Sequence, residues 1–182
     1  WGALILAPVL TAVLGLFVER VLIRRLYGRD PLYSLLLTFG LAFMFEDGTR
    51  FIWGAQGLPF QVPGWLLSPL STDYFFLTGY RLFMVLIVGI AVAGLFFILN
   101  KTRLGIRIRA GTLDLETVSV LGVNVRILRN MNFGLGIYLA GLAGVLAVGQ
   151  LGLQPTIGSS LIMPSFVAII VGGLGSLPGA LL

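Results

Sequence analysis

The chain has 182 residues, of which 58% are hydrophobic and only 10% charged, against roughly 25% charged in ordinary soluble domains. One soluble core of this size cannot hide that much apolar surface, so the bilayer is the expected solvent for most of it. Cysteine and histidine are both absent, which excludes disulfides, thiol nucleophiles, imidazole bases and the common zinc ligands. The net charge of +5 is gathered at the ends of apolar runs, where it speaks for membrane orientation and against nucleic acid.

The fold class expected is an all-α, polytopic helical membrane bundle of about five transmembrane segments, forming one partial domain over 1–182. Both ends of the chain lie inside apolar sequence, and we read it as a fragment of a longer protein. Residues 2–18 give about 25 Å of helix at 1.5 Å per residue, close to the hydrocarbon thickness, and form a first span. The basic connector 19–30 follows, closing on Asp30-Pro31, a good N-cap and first-turn pair. A second span, 31–53, ends on the interface anchor Trp53.

Residues 54–81 are rich in Gly, Pro and aromatics and read as an irregular loop. A third span covers 82–99, a long connector 100–131, and a fourth span 133–153. The fifth apolar segment, 161–182, is interrupted by Pro164, Pro178 and several glycines, so a broken helix is expected there. The connectors 19–30 and 100–131 carry four and six Lys and Arg, and the loop between them carries one. By the positive-inside rule both connectors belong in the cytoplasm and the loop 54–81 outside.

Several residue patterns carry candidate roles. Gly136, Ala140 and Gly144 recur every four residues and allow close helix packing. Glu46 and Arg50, at i and i+4 beside Asp47, form an intramembrane polar cluster, either a structural pair or a contact for substrate or partner. Gly172, Gly173, Gly175, Ser176 and Pro178 lack the Lys-Ser/Thr of a phosphate loop. They are candidates for a helix break on a translocation path. No pattern suggests a metal site or a catalytic acid and base.

Within the long connector, 112–121 reads as a short amphipathic surface helix. Leu115, Val118 and Leu121 share a face, Asp114 and Glu116 sit where the helix dipole favours acids, and Gly122 supplies the stop. Such a helix either lies on anionic lipid with its basic flanks or docks a partner protein.

Glu116 followed six positions later by Gly122 resembles the cytoplasmic loop by which ABC importer permeases seat on their ATPases, although Thr117 and Val118 replace the usual alanines. More widely, the chain is similar to the LivH-type branched-chain amino acid ABC permeases. The resembling stretches are Glu19-Arg20 to Arg25, Leu35 to Leu41, Glu46-Asp47 with Arg50 and Trp53-Gly54, Thr102-Arg103-Leu104-Gly105 with Arg109-Ala110, Leu121-Gly122-Val123-Asn124-Val125, Leu139 to Leu146, and Gly172 to Ala180.

This resemblance implies a multi-pass permease subunit of a bacterial or archaeal plasma (inner) membrane. It would pair with a second homologous permease and bind two cytoplasmic ABC ATPase subunits, which hold the ATP and magnesium, and it would receive substrate from an extracytoplasmic binding protein. Arg109, Asp114, Leu115, Glu116, Val118, Leu121 and Gly122 would then form the ATPase-coupling helix, and the chain would carry no ATPase site or cofactor of its own. Branched-chain amino acids are the implied cargo, with other amino acids, amides or urea as alternatives within the family. A secondary transporter or channel is the alternative from another class, but no Asp or Glu lies near the middle of a span to couple an ion.

Overall fold

The apolar runs fold as helices because lipid offers the backbone no hydrogen-bond partners. A computed structural model describes residues 2–27, 29–60, 64, 69–72, 75–113, 118, 120, 122–173 and 179. Helix α1 is Gly2–Val21, followed by a 3-10 turn at Ile23–Leu26; α2 is Pro31–Trp53. Strands β1 (Pro69–Thr72) and β2 (Phe75–Thr78) pair antiparallel, with Pro69 opposite Thr78 and Thr72 opposite Phe75. Then come α3 (Gly79–Lys101), α4 (Arg103–Leu113), α5 (Val125–Leu151) and α6 (Ile157–Gly172).

Three of these segments are long and apolar enough to cross a membrane: Gly2–Leu26, Gly79–Lys101 and Val125–Leu151. With 23 residues α2 has the length, but Glu46, Asp47 and Arg50 lie in its last third. Helix α6 is apolar but has 16 residues. Apolar side chains face outward along the helices, with Leu36 74% and Val85 72% exposed, an arrangement that only lipid or a further apolar partner can solvate.

Element ends differ from the sequence expectations in ways that local chemistry explains. Helix α5 begins at Val125, before the expected 133, because Asn124 caps it: its Oδ1 accepts from the Arg126 and Ile127 amides at 3.1 and 3.4 Å. Arg126 and Arg129 therefore belong to a helix, not to a loop. Helix α6 starts at Ile157, ahead of the expected 161, and takes in the polar pair Ser159-Ser160. The loop 54–81 was expected to be irregular, yet it contains the β1–β2 hairpin. Asp30 caps α2 as expected, accepting from the Leu32 amide at 3.0 Å.

Contacts divide the chain into two units. The first comprises Trp1–Tyr27 with Gln61–Leu146, and the second Gly28–Phe60 with Ala147–Leu182.

In the first unit α1 and α5 run antiparallel in close contact. A methyl group added to Gly141 would meet Pro8 Cα at 3.0 Å and collide with Thr11 Oγ1, and one on Gly134 would touch Leu16 at 3.4 Å. On the α1 side, Gly15 leaves room for Ile137. The contact face of α5 is thus Gly134, Ile137 and Gly141. The stripe of Gly136, Ala140 and Gly144 lies off it, since a methyl on Gly136 or Gly144 meets nothing within 4 Å among the described residues. Tyr80 at the start of α3 is buried and donates to the Leu146 carbonyl at 2.7 Å, fastening α3 to α5.

In the second unit α2 and α6 are joined by a hydrogen bond from Ser159 to Glu46, and the Leu58 amide donates to the Leu153 carbonyl at 2.9 Å.

Candidate functional site

The long connector is built around one tight corner. Thr102 leaves α3 in an extended conformation with ψ of 154°. Its hydroxyl donates back to the Ile98 carbonyl at 2.5 Å and accepts from the Gly105 amide at 3.3 Å, so it ends one helix and caps the next. Gly105 is pressed against the backbone of Leu99, and any added Cβ would collide with it. The stretch Thr102-Arg103-Leu104-Gly105 therefore encodes a sharp reversal of the chain.

From this corner α4 turns an apolar edge inward. Ile108, Val118 and Leu128 are 8%, 6% and 7% exposed and pack together, with Leu99, Ala110, Val123 and Leu135 around them. The basic side chains face out, Arg109 donating to Asn100 Oδ1 at 3.2 Å. Ile106 is 59% exposed and Val120 86%. Val118 was expected on the docking face; its side chain instead lies inside the connector's core, because Ile108 and Leu128 cover it, and Val120 is the valine that faces outward.

Gly122 has a φ of +79°, a left-handed conformation that β-carbons disfavour. Next to it the Val123 amide donates to the Val118 carbonyl at 3.4 Å, the six-to-one bond of a Schellman helix stop. Asn124 then opens α5, so a helix stop and a helix start stand two residues apart. Asp114, Leu115, Glu116 and Leu121 lie outside the described residues.

The basic end of α1 holds a second polar cluster. Glu19, in the last turn of α1, is 0% exposed. Its Oε1 accepts from the Tyr27 hydroxyl at 3.1 Å. With the Asn130 amide turned so that its nitrogen faces acceptors, Asn130 Nδ2 donates to Glu19 Oε2 at 3.2 Å and to the Arg126 carbonyl at 3.0 Å. The Arg129 guanidinium lies 4.1 Å from the centre of the Tyr27 ring. Partial burial, then the hydrogen bond and negative charge of Glu19, push the Tyr27 phenol above its ordinary value, while Arg129 and Arg24 oppose the rise.

In the second unit Glu46 and Arg50 pair at 2.5 Å, and Asp47 lies 3.9 Å from Arg50. The other Glu46 oxygen accepts from Ser159, so the cluster bridges two helices. Beside it, Thr49, Trp53, Gln56, Leu153, Gln154 and Ile157 help to line an open, mainly apolar groove of about 490 Å³. Gly172 closes α6, and Gly173 follows with φ of +86°; Gly175, Ser176 and Pro178 lie outside the described residues. Among the described residues no cluster of carboxylates offers three ligands to a metal.

The sequence alone does not single out Ser159 or Asn130, and Glu19 enters only within the resembling stretch Glu19-Arg20 to Arg25. A polar pair opening an apolar helix was the available signal for Ser159. For Glu19 the signal was an acid in the last turn of a helix, where the dipole disfavours it.

These features define a polytopic helical membrane protein with a folded polar connector. Residues 1–182 match the family described as the permease component of branched-chain amino acid transport systems, and the chain belongs to that family. It is similar to the high-affinity branched-chain amino acid transport system permease protein BraD of Pseudomonas aeruginosa, with 29% identity over 96% of this chain and 58% of that protein. The corresponding permease protein LivH of Salmonella typhimurium is 28% identical over 100% of the chain and 59% of its own length. A probable branched-chain amino acid transport permease protein LivH of Methanocaldococcus jannaschii is 31% identical over 64% of the chain and 37% of its own length. The chain thus spans under three fifths of the length of these bacterial and archaeal relatives. No solved structure matches it significantly.

Proposed function

We propose that this chain is part of the permease subunit of an ATP-binding cassette importer that carries branched-chain or related amino acids across the plasma (inner) membrane. Family membership over the full chain supports transport. The observation that carries the mechanism is the connector: a basic segment with its own apolar core, fixed at both ends by helix caps, and presenting Val120 outward. A packed body transmits force, whereas an unstructured loop absorbs it.

In this reading the basic connectors face the cytoplasm. Two separate ATPase subunits, which bind ATP and magnesium, press on the connector between α4 and Gly122. The displacement tilts the spans between inward- and outward-facing arrangements. A second homologous permease completes the path, and an extracytoplasmic binding protein delivers the substrate. The chain itself performs no covalent chemistry.

The test is uptake of labelled leucine into vesicles holding the full-length subunit with its ATPases, sister permease and binding protein. Uptake that stops when the ATPase Walker lysine is replaced is the expected result. Undiminished uptake without ATP hydrolysis would favour a secondary transporter or channel.

A further inference from the structure

Glu19 is placed where stability alone gives no reason for it. An acid in the last turn of a helix opposes the helix dipole, and a carboxylate without exposure to solvent loses its hydration. Both oxygens are nevertheless held, one by Tyr27 from the connector after α1 and one by Asn130 from α5. Asn130 is two residues beyond Leu128, about 200° around the helix at 100° per residue. Leu128 sits in the connector's core. The first turns of α5 are therefore gripped on opposite sides, by the connector through Leu128 and by the end of α1 through Asn130.

We infer that Glu19 is a positioning residue for coupled transport, whose bonds to Asn130 and Tyr27 make α1 follow when the connector moves α5. This inference rests on the ATPase-coupling reading proposed above. The Arg129 guanidinium on the Tyr27 ring holds the phenol in place from the next residue of α5.

The experiment uses the complete importer in vesicles and reads substrate taken up per ATP hydrolysed, with the yield of assembled complex measured in parallel. In E19Q the amide oxygen still accepts from Tyr27, but the amide nitrogen faces the nitrogen of Asn130, and turning the Asn130 amide to present its oxygen gives up the bond to the Arg126 carbonyl. Both E19Q and N130A should lower uptake per ATP by about fivefold or more, the range of ordinary coupling energies, with complex yield unchanged. Y27F, which removes one hydroxyl from a partly exposed ring, should lower it in the same direction by less.

Loss of complex yield with uptake per ATP unchanged would reduce Glu19 to a structural residue and overturn the inference. V120D separates the two readings. If V120D lowers uptake per ATP while E19Q and N130A leave it unchanged, the connector reading stands and the Glu19 inference falls; if none of the three lowers it, both fall.

Discussion

Gly105 rests against the backbone of Leu99, and this one contact sets how sharply α4 folds back on α3. Replacement G105A should force the two helix ends apart at a cost of about 1–3 kcal/mol, the range for overpacking. Thermal unfolding of the detergent-solubilised protein should show a lower Tm for G105A than for the nearby surface change R107A. An unchanged Tm would mean that the corner is looser than described.

The α1–α5 contact makes a comparison among glycines possible. G141A should destabilise by about 1–3 kcal/mol, because the added methyl meets Pro8 and Thr11. By contrast G136A and G144A, whose methyls meet nothing within 4 Å among the described residues, should leave the isolated subunit within about 0.5 kcal/mol of the parent. Matching losses in all three would place the helix interface on a different face.

Val118 and Val120 should separate stability from coupling. Truncating the buried valine in V118A should cost about 1.5–3 kcal/mol, the worth of burying such a side chain. V120D changes a side chain that is 86% exposed and should leave Tm unchanged; under the proposed coupling it should weaken recovery of ATPase subunits with the permease. Equal ATPase recovery from V120D and parent would remove Val120 from the docking surface.

Asn124 starts α5 through two accepted amide hydrogen bonds. N124A should cost about 1 kcal/mol, the usual worth of a helix cap, and N124D should retain most of the stability. Hydrogen exchange at the amides of Arg126 and Ile127 provides the local measurement, with faster exchange expected only in N124A.

The Tyr27 phenol should titrate above the ordinary tyrosine value of about 10. An acid whose folded value is raised favours folding only in its protonated form, so this contribution is complete below the unfolded value and fades as the pH climbs through the interval above it. Ultraviolet difference titration of parent against Y27F should show one late-titrating phenol. A phenol that ionises at or below the ordinary value would contradict the hydrogen bond to Glu19.

Much of the helical layout was legible because apolar runs in lipid have few alternatives. Helix ends were less so: the start of α5 was masked by Arg126 and Arg129, which read as loop charges until Asn124 is seen to cap the helix ahead of them. The stop at Gly122 could be read from sequence, since a left-handed position after an amphipathic turn favours glycine. The packing glycines could not. Gly136, Gly141 and Gly144 look alike along the chain, and only the position of Pro8 and Thr11, more than a hundred residues earlier, selects Gly141. The same holds for Val118 and Val120, whose difference depends on Ile108 and Leu128. Glu19 was counted as the edge of a basic loop because burial by Tyr27 and Asn130 is a property of the folded chain.

The pairing of α1 with α5 also has a consequence for biosynthesis. Pro8, Thr11 and Gly15 leave the ribosome well before Gly134, Ile137 and Gly141, with roughly 120 residues between them. At about 5–20 residues per second helix α1 waits on the order of 6–25 s for its counterpart to be made. Throughout that interval its glycine and threonine face lacks the partner it has in the folded chain, and the α1–α5 contact cannot form before Gly141 has been made.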